Sequence, residues 1–206
     1  MAPTILIVDD HPSFRASARV VLESDGFDVV GEAADGASAL TECCRLRPEV
    51  VLLDVHLMIE RPERQVAEFA KAGADLITVH VEATPHLNYA ITAIKEAGCL
   101  AAAAINPATS VAALGEVSDL LDMALCMSVN PGWGGQAFLP GSVAKLERLR
   151  AVIGDRPVLE VDGGIDAGTA GPCARAGATV FVAGSAVFGA ADPAGAYHDI
   201  EAATVT

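Results

Sequence analysis

Positive charge is scarce in this sequence. Thirteen lysines and arginines stand against 27 aspartates and glutamates, a net charge of −14, and no basic cluster stands out. That excludes a chain built to hold nucleic acid or an anionic membrane surface, since both call for a concentrated positive field. It does not exclude a phosphate ligand, because backbone amides bind phosphate without basic side chains. Long apolar runs are missing too: none reaches the ~20 residues needed to cross a bilayer. Met1-Ala2-Pro3 leads straight into an apolar strand, so no secretory leader is expected. Disulfide and zinc spacings are absent as well. The five cysteines (Cys43, Cys44, Cys99, Cys126 and Cys173) are odd in number and include no Cys-x-x-Cys. They read as reduced, buried thiols of a cytoplasmic protein.

What is present is apolar residues in a regular rhythm. Hydrophobic residues make up 52% of the 206, enough for one sizeable core and one domain. Thr4 to Val8 is a short apolar run, read as a buried parallel strand. Pro12-Ser13 opens a helix that Asp25-Gly26 ends. A strand over Phe27 to Ala33, a helix over Ala37 to Arg47 and a strand over Val50 to Val55 follow. The alternation continues with strands at Leu76–Val81, Leu100–Ile105, Met123–Val129, Val158–Val161 and Thr179–Ala183, each followed by a helical segment. Eight strand–helix repeats with short connections build a parallel sheet, either open and doubly wound or closed as an eightfold barrel.

Three late strands end in glycine: Gly132, Gly134 and Gly135 after the first, Gly163 and Gly164 after the second, Gly184 with Ser185 after the third. Glycine lets backbone N–H groups approach an anion closely. Three such clusters at neighbouring strand ends predict a phosphate site, the place where barrels often bind one.

Two family resemblances meet in the stretch Val50 to Glu60. Ile5-Leu6-Ile7-Val8-Asp9-Asp10-His11, Gly31-Glu32-Ala33-Ala34-Asp35-Gly36 and Pro48-Glu49-Val50-Val51-Leu52-Leu53-Asp54 resemble the first half of a response-regulator receiver domain, a flavodoxin-like fold. That resemblance implies Mg²⁺ at Asp9 and Asp10, and Asp54 as a strand-end phosphoacceptor. The lysine and Ser/Thr that complete such a site are not matched, so the three aspartates read as a vestigial acidic site.

From Leu53 onward the chain is similar to ribulose-phosphate 3-epimerase. The residues that carry this include Asp54-Val55-His56-Leu57-Met58-Ile59-Glu60, Thr78-Val79-His80-Val81-Glu82-Ala83, Asn106-Pro107-Ala108-Thr109, Asn130-Pro131-Gly132-Trp133-Gly134-Gly135-Gln136, Val161-Asp162-Gly163-Gly164-Ile165 and Val182-Ala183-Gly184-Ser185. The resemblance implies a (β/α)8 TIM-type barrel, a pentulose phosphate or phosphate ligand, and a divalent metal such as Zn²⁺, Mn²⁺ or Fe²⁺. His56 would be a metal ligand, Asp162 both ligand and acid/base, and Met58 and Met127 would line the substrate. The family's remaining ligands form a His-x-Asp in its second strand, whose Asp is also the second acid. Phe27-Asp28-Val29-Val30-Gly31-Glu32-Ala33 holds no such pair. Glu32, Asp9 and Asp10 are the nearby carboxylates that could stand in.

The two matches together lead to four expectations. The chain is a chimera, engineered or recombined, whose seam lies in the third strand. It is one domain over 1–206, receiver-derived over 1–55 and epimerase-derived over 56–206. The barrel is closed, although a receiver would keep the strand order 2-1-3, and the first two units are its least stable part. Its phosphate shell is retained and its epimerase activity is largely lost, the alternative being an active epimerase. The sequence leaves room for a homo-oligomer and does not determine the assembly.

Overall fold

The structure, a computed structural model, describes residues 4–8, 12–24, 26–34, 38, 41–42, 45–46, 50–51 and 54–205. Nine strands are described, all paired in parallel. They fall into two sheets. The larger contains β4 (Asp54–Leu57), β5 (Leu76–His80), β6 (Leu100–Ile105), β7 (Met123–Met127), β8 (Val158–Asp162) and β9 (Val180–Val182), in that spatial order. Sequential order with a helical segment between neighbours is the winding of a TIM-type barrel. Here it covers six strands and makes a partial barrel.

The smaller sheet contains β1 (Thr4–Val8), β2 (Asp28–Ala33) and β3 (Val50–Val51), in the order β2-β1-β3. The closed barrel expected from the sequence is therefore corrected. β1 uses one edge on β2 and the other on β3, pairing Ile5 with Val50 and Leu6 with Val51. With both edges taken, it has none left to close a ring against β9. The single strand expected over Val50–Val55 is corrected by the same ladders. Val50 and Val51 belong to the small sheet, whereas Asp54 opens β4 opposite Leu76. Asp54 thus does not end its strand, which runs on to Leu57, and it lies at the opposite end of the large sheet from His80 and Asp162.

In the large sheet alternate side chains go to opposite faces. Val55, Leu57, Ile77, Val79, Ala101, Ala103, Ile105, Ala124, Cys126, Leu159 and Val161 point outward into the main core. There they meet α2 (Val66–Lys71), α3 (Leu87–Glu96), α4 (Gly141–Ile153), α5 (Ala167–Arg175) and α7 (Pro193–Thr204), through residues such as Val66, Ile91, Leu146, Ala170 and Ile200. Ala104, Leu125, Met127 and Val129 form a separate inner cluster. The alanines of β6 leave that interior room for larger neighbours. α5 starts where it does because Asp166 caps it: its carboxylate accepts from the Gly168 and Thr169 amides, and the Thr169 hydroxyl accepts from the Asp166 amide. Gly98 and Gly154, both at positive φ, follow the ends of α3 and α4.

The small sheet packs under α1 (Pro12–Ser24), with a core of Ile5, Ile7, Ala18 and Val29. Glu32 on β2 pairs with Arg15 and Arg19 of α1 at 3.3 and 2.9 Å. The hydrogen bond from Arg19 is the main reason its carboxyl lies below the usual range. Glu32 is thus engaged within the small sheet and is no stand-in for the missing acid. Phe188, at the end of the short helix α6 (Ser185–Phe188), packs against both cores.

Candidate functional site

The site lies at the C-terminal mouth of the large sheet, where the strands deliver their inward-facing residues together. His56 on β4 registers with Thr78, His80 on β5 with Ala104, and Met127 on β7 with Asp162 on β8. His56 and His80 stack with ring centroids 4.8 Å apart, and their Nε2 atoms lie 2.7 Å from each other. One nitrogen of the pair must donate and the other accept, so at least one ring is neutral. Burial, with the neighbouring His80 adding to it, pushes His56 down to about 4. Nδ1 of His80 faces Glu82 at 3.4 Å.

Glu82 in turn accepts from the Asn106 amide at 2.9 Å and from the Thr109 hydroxyl. Burial works to raise its pKa, but these hydrogen bonds outweigh it and the carboxyl sits below its ordinary value. On the other side of Asn106, the buried Lys145 of α4 donates to the carbonyls of Asn106 and Pro107. Burial lowers the lysine's pKa, against the raising influence of Cys126 and Glu82. A run of polar contacts therefore crosses the mouth from His56 to Lys145. Sequence reading missed His80, Glu82 and Lys145. The parity of β5 was the available signal, since His80 lies two residues beyond the inward-facing Thr78. Lys145 carried none, because α4 brings it in from outside the strands.

Asp162 ends β8, and the turn after it is tightly held. The Ser128 amide donates to the Asp162 carbonyl, and the Ser128 hydroxyl lies 2.8 Å from that oxygen and 2.7 Å from the Gly163 carbonyl. Gly163 and Gly164 have φ of 121° and 63°. A Cβ on Gly163 would fall 2.4 Å from Val129, and one on Gly164 2.5 Å from the Phe138 backbone. Both positions need glycine for conformation and for space. Gly132, Gly134 and Gly135 lie in the loop after β7, which Gln136 pins by donating to the carbonyls of Asn130 and Trp133. Gly184 precedes α6, and Ser185 is its first residue. The three glycine clusters therefore follow the consecutive strands β7, β8 and β9. Met127 is fully buried in the inner cluster, whereas Met58 is half exposed.

Asp9 and Asp10 lie outside the described residues, as do the side chain of Asp54 and the cysteines 43 and 44. Cys99, Cys126 and Cys173 are unpaired and buried. Burial pushes Cys126 and Cys173 up to about 11, so these thiols are inert at neutral pH. The described residues do not fit the divalent metal that the family resemblance implies. Among them no three His, Cys, Asp or Glu gather as a metal site, and Nε2 of His56 is turned to His80.

A family model described as "Ribulose-phosphate 3 epimerase family" matches residues 37–188. The chain belongs to the ribulose-phosphate 3-epimerase family. Ribulose-phosphate 3-epimerase 2 of Cupriavidus necator is 49% identical over 177 residues, covering 80% of this chain and 73% of that protein. The Bacillus subtilis ribulose-phosphate 3-epimerase is 45% identical over 152 residues, covering 72% and 70%. Among solved structures, 3-hexulose-6-phosphate synthase from Salmonella typhimurium superposes with a TM-score of 0.67 at 22% identity, covering 98% of each chain. At that identity the likeness shows the shared fold alone. These matches overturn the expectation of a chimera emptied of its activity. The epimerase-family match begins at residue 37, well ahead of Val50, within the part read as receiver. The relatives that cover most of the chain are themselves named as epimerases.

Proposed function

We propose that the chain is an active D-ribulose-5-phosphate 3-epimerase that works as one domain in the cytoplasm. The observation that carries this is identity of 45–49% to proteins of that name over 72–80% of the chain. In this reading the glycines at 132, 134, 135, 163, 164 and 184, with Ser185, hold the substrate phosphate through backbone amides. Met58 and Met127 line the sugar. The substrate carbon C3 sits beside a ketone, so its proton is removable once a carboxylate is held against it. Asp162 is that base: the proton passes to its carboxylate and the C–H electron pair moves into the ketone, giving an enediolate. A proton supplied by solvent water to the opposite face of the enediolate completes the inversion. The hold of Ser128 on the 162–163 turn keeps the base in place, and the buried Met127 packs on the neighbouring strand beside it. No step is assigned to a metal.

The small sheet has the order β2-β1-β3, which supports reading its first two units as flavodoxin-like in arrangement. No phosphoryl transfer is proposed for it.

Epimerisation and solvent exchange test this together. The chain is incubated with D-ribulose 5-phosphate in D2O, with added Zn²⁺ or Mn²⁺, and followed by NMR. Deuterium at C3 with formation of D-xylulose 5-phosphate is expected. Asp162→Asn should lower both rates by about 10²- to 10⁴-fold with an unchanged melting temperature. A wild-type chain that forms neither product overturns the reading.

A further inference from the structure

The geometry points to Asn106 as a substrate-binding residue, whose side-chain oxygen accepts a hydrogen bond from the C1 hydroxyl of the pentulose phosphate. This rests on the epimerase reading above.

The first ground is position. Asn106 follows β6, the third of six strands, between the histidine pair of β4 and β5 and the Met127–Asp162 pair of β7 and β8. Ala104 faces the interior and Ile105 the outer core. Continuing that alternation brings residue 106 back to the inner side, at the mouth.

The second ground is an unequal use of its polar atoms. Its amide donates to Glu82 Oε1 at 2.9 Å. Its carbonyl accepts from Lys145 and, at 3.0 Å, from the Thr109 amide. Its side-chain Oδ1 is buried and finds no hydrogen-bond partner among the described residues. An acceptor held away from solvent is disfavoured until a donor reaches it.

The third ground is rigidity. A carboxylate on one side and a buried ammonium on the other fix the backbone of this one residue. Thr109, donating to the same Glu82, closes the turn. Such fixation is what an exactingly placed ligand contact needs. The choice of hydroxyl follows from the layout of the mouth. The proposed phosphate clusters follow β7, β8 and β9, with Asp162 among them. Asn106 lies on the far side of Asp162 from β9, so it meets the end of the sugar remote from phosphate, where C1 carries its hydroxyl.

The test uses three forms of the full chain. Asn106→Leu keeps the volume and removes the acceptor; Asn106→Asp keeps the oxygen. Asn106→Leu is expected to raise KM for D-ribulose 5-phosphate about tenfold with little change in kcat, the signature of lost uniform binding. Asn106→Asp should recover most of that loss. The competitive inhibition constant of 1-deoxy-D-xylulose 5-phosphate, which lacks the hydroxyl, should be the same for wild type and Asn106→Leu. An unchanged KM in Asn106→Leu, or an equal weakening toward the 1-deoxy compound, overturns the assignment while the active wild type leaves the epimerase reading standing. A wild type without turnover overturns both. If Asn106→Leu does not fold, Asn106→Ala takes its place with the same expected outcomes.

Discussion

The two sheets use similar apolar strands and differ in what they lean on. Each inner strand of the large sheet sits between two neighbours, with helices on one face and its own inner cluster on the other. Among the described residues, the small sheet has a core of Ile5, Ile7, Ala18 and Val29 and a two-residue third strand. The groups proposed for the site follow the same division: His56, His80, Asn106, Met127 and Asp162 all come from the large sheet or the residue just beyond it. Precise side-chain placement needs a framework that does not itself shift, and six strands held between two apolar clusters are suited to be one.

Hydrogen exchange gives the widest test of this contrast. Amides of β6, β7 and β8 should exchange on the order of 10³-fold more slowly than those of β1 and β2, since local opening ranges from near zero to the global free energy. Equal protection would mean that the sheets open as one unit and the contrast fails. Truncation sharpens it. Ile91→Ala removes a fully buried side chain of the main core and should cost toward the upper end of about 2–5 kcal/mol in urea denaturation, whereas Ile7→Ala in the small core should cost toward the lower end. Similar losses at the two sites would put the two cores on an equal footing.

Acid probes the large sheet through His56. His56 is held neutral down to about pH 4 in the folded chain, and in the unfolded chain its pKa returns to about 6.5. Between these values the unfolded state binds more protons. Stability from this group is complete above about pH 6.5 and is lost as pH falls toward 4, by about 3 kcal/mol at most. Chelator-treated protein unfolded at pH 7.5 and 4.5 should show the loss, and His56→Asn should reduce it to the part owed to the lowered Glu32, Glu82 and Asp122 carboxyls. A loss that persists in the variant would point to another group.

Much of the large sheet was legible in sequence. Leu76–His80, Leu100–Ile105 and Met123–Met127 are apolar runs closed by polar or glycine residues, which is how strands buried on both faces read. The glycine clusters were legible for a related reason: Gly163 and Gly164 are dictated by local backbone conformation and by neighbours close at hand. Barrel closure was not legible, because it depends on which edge β1 pairs with, and Ile5 or Leu6 would suit either partner. Nor was the His56–His80 contact, since a pair 24 residues apart meets only once the register of β4 and β5 is known. Family resemblance misled at Val50–Val55. There one apolar run serves two sheets, residues 50–51 pairing with β1 and residues 54–57 with β5.

Phe188 ties these regions together. Its ring rests against both cores, and it ends the same short helix that Ser185 begins. By thermodynamic linkage, a ligand that steadies α6 at Gly184 and Ser185 also steadies the ring on which the small core leans. Occupancy at the mouth would then be written into the exchange rates of β1, although no residue of that strand belongs to the proposed site.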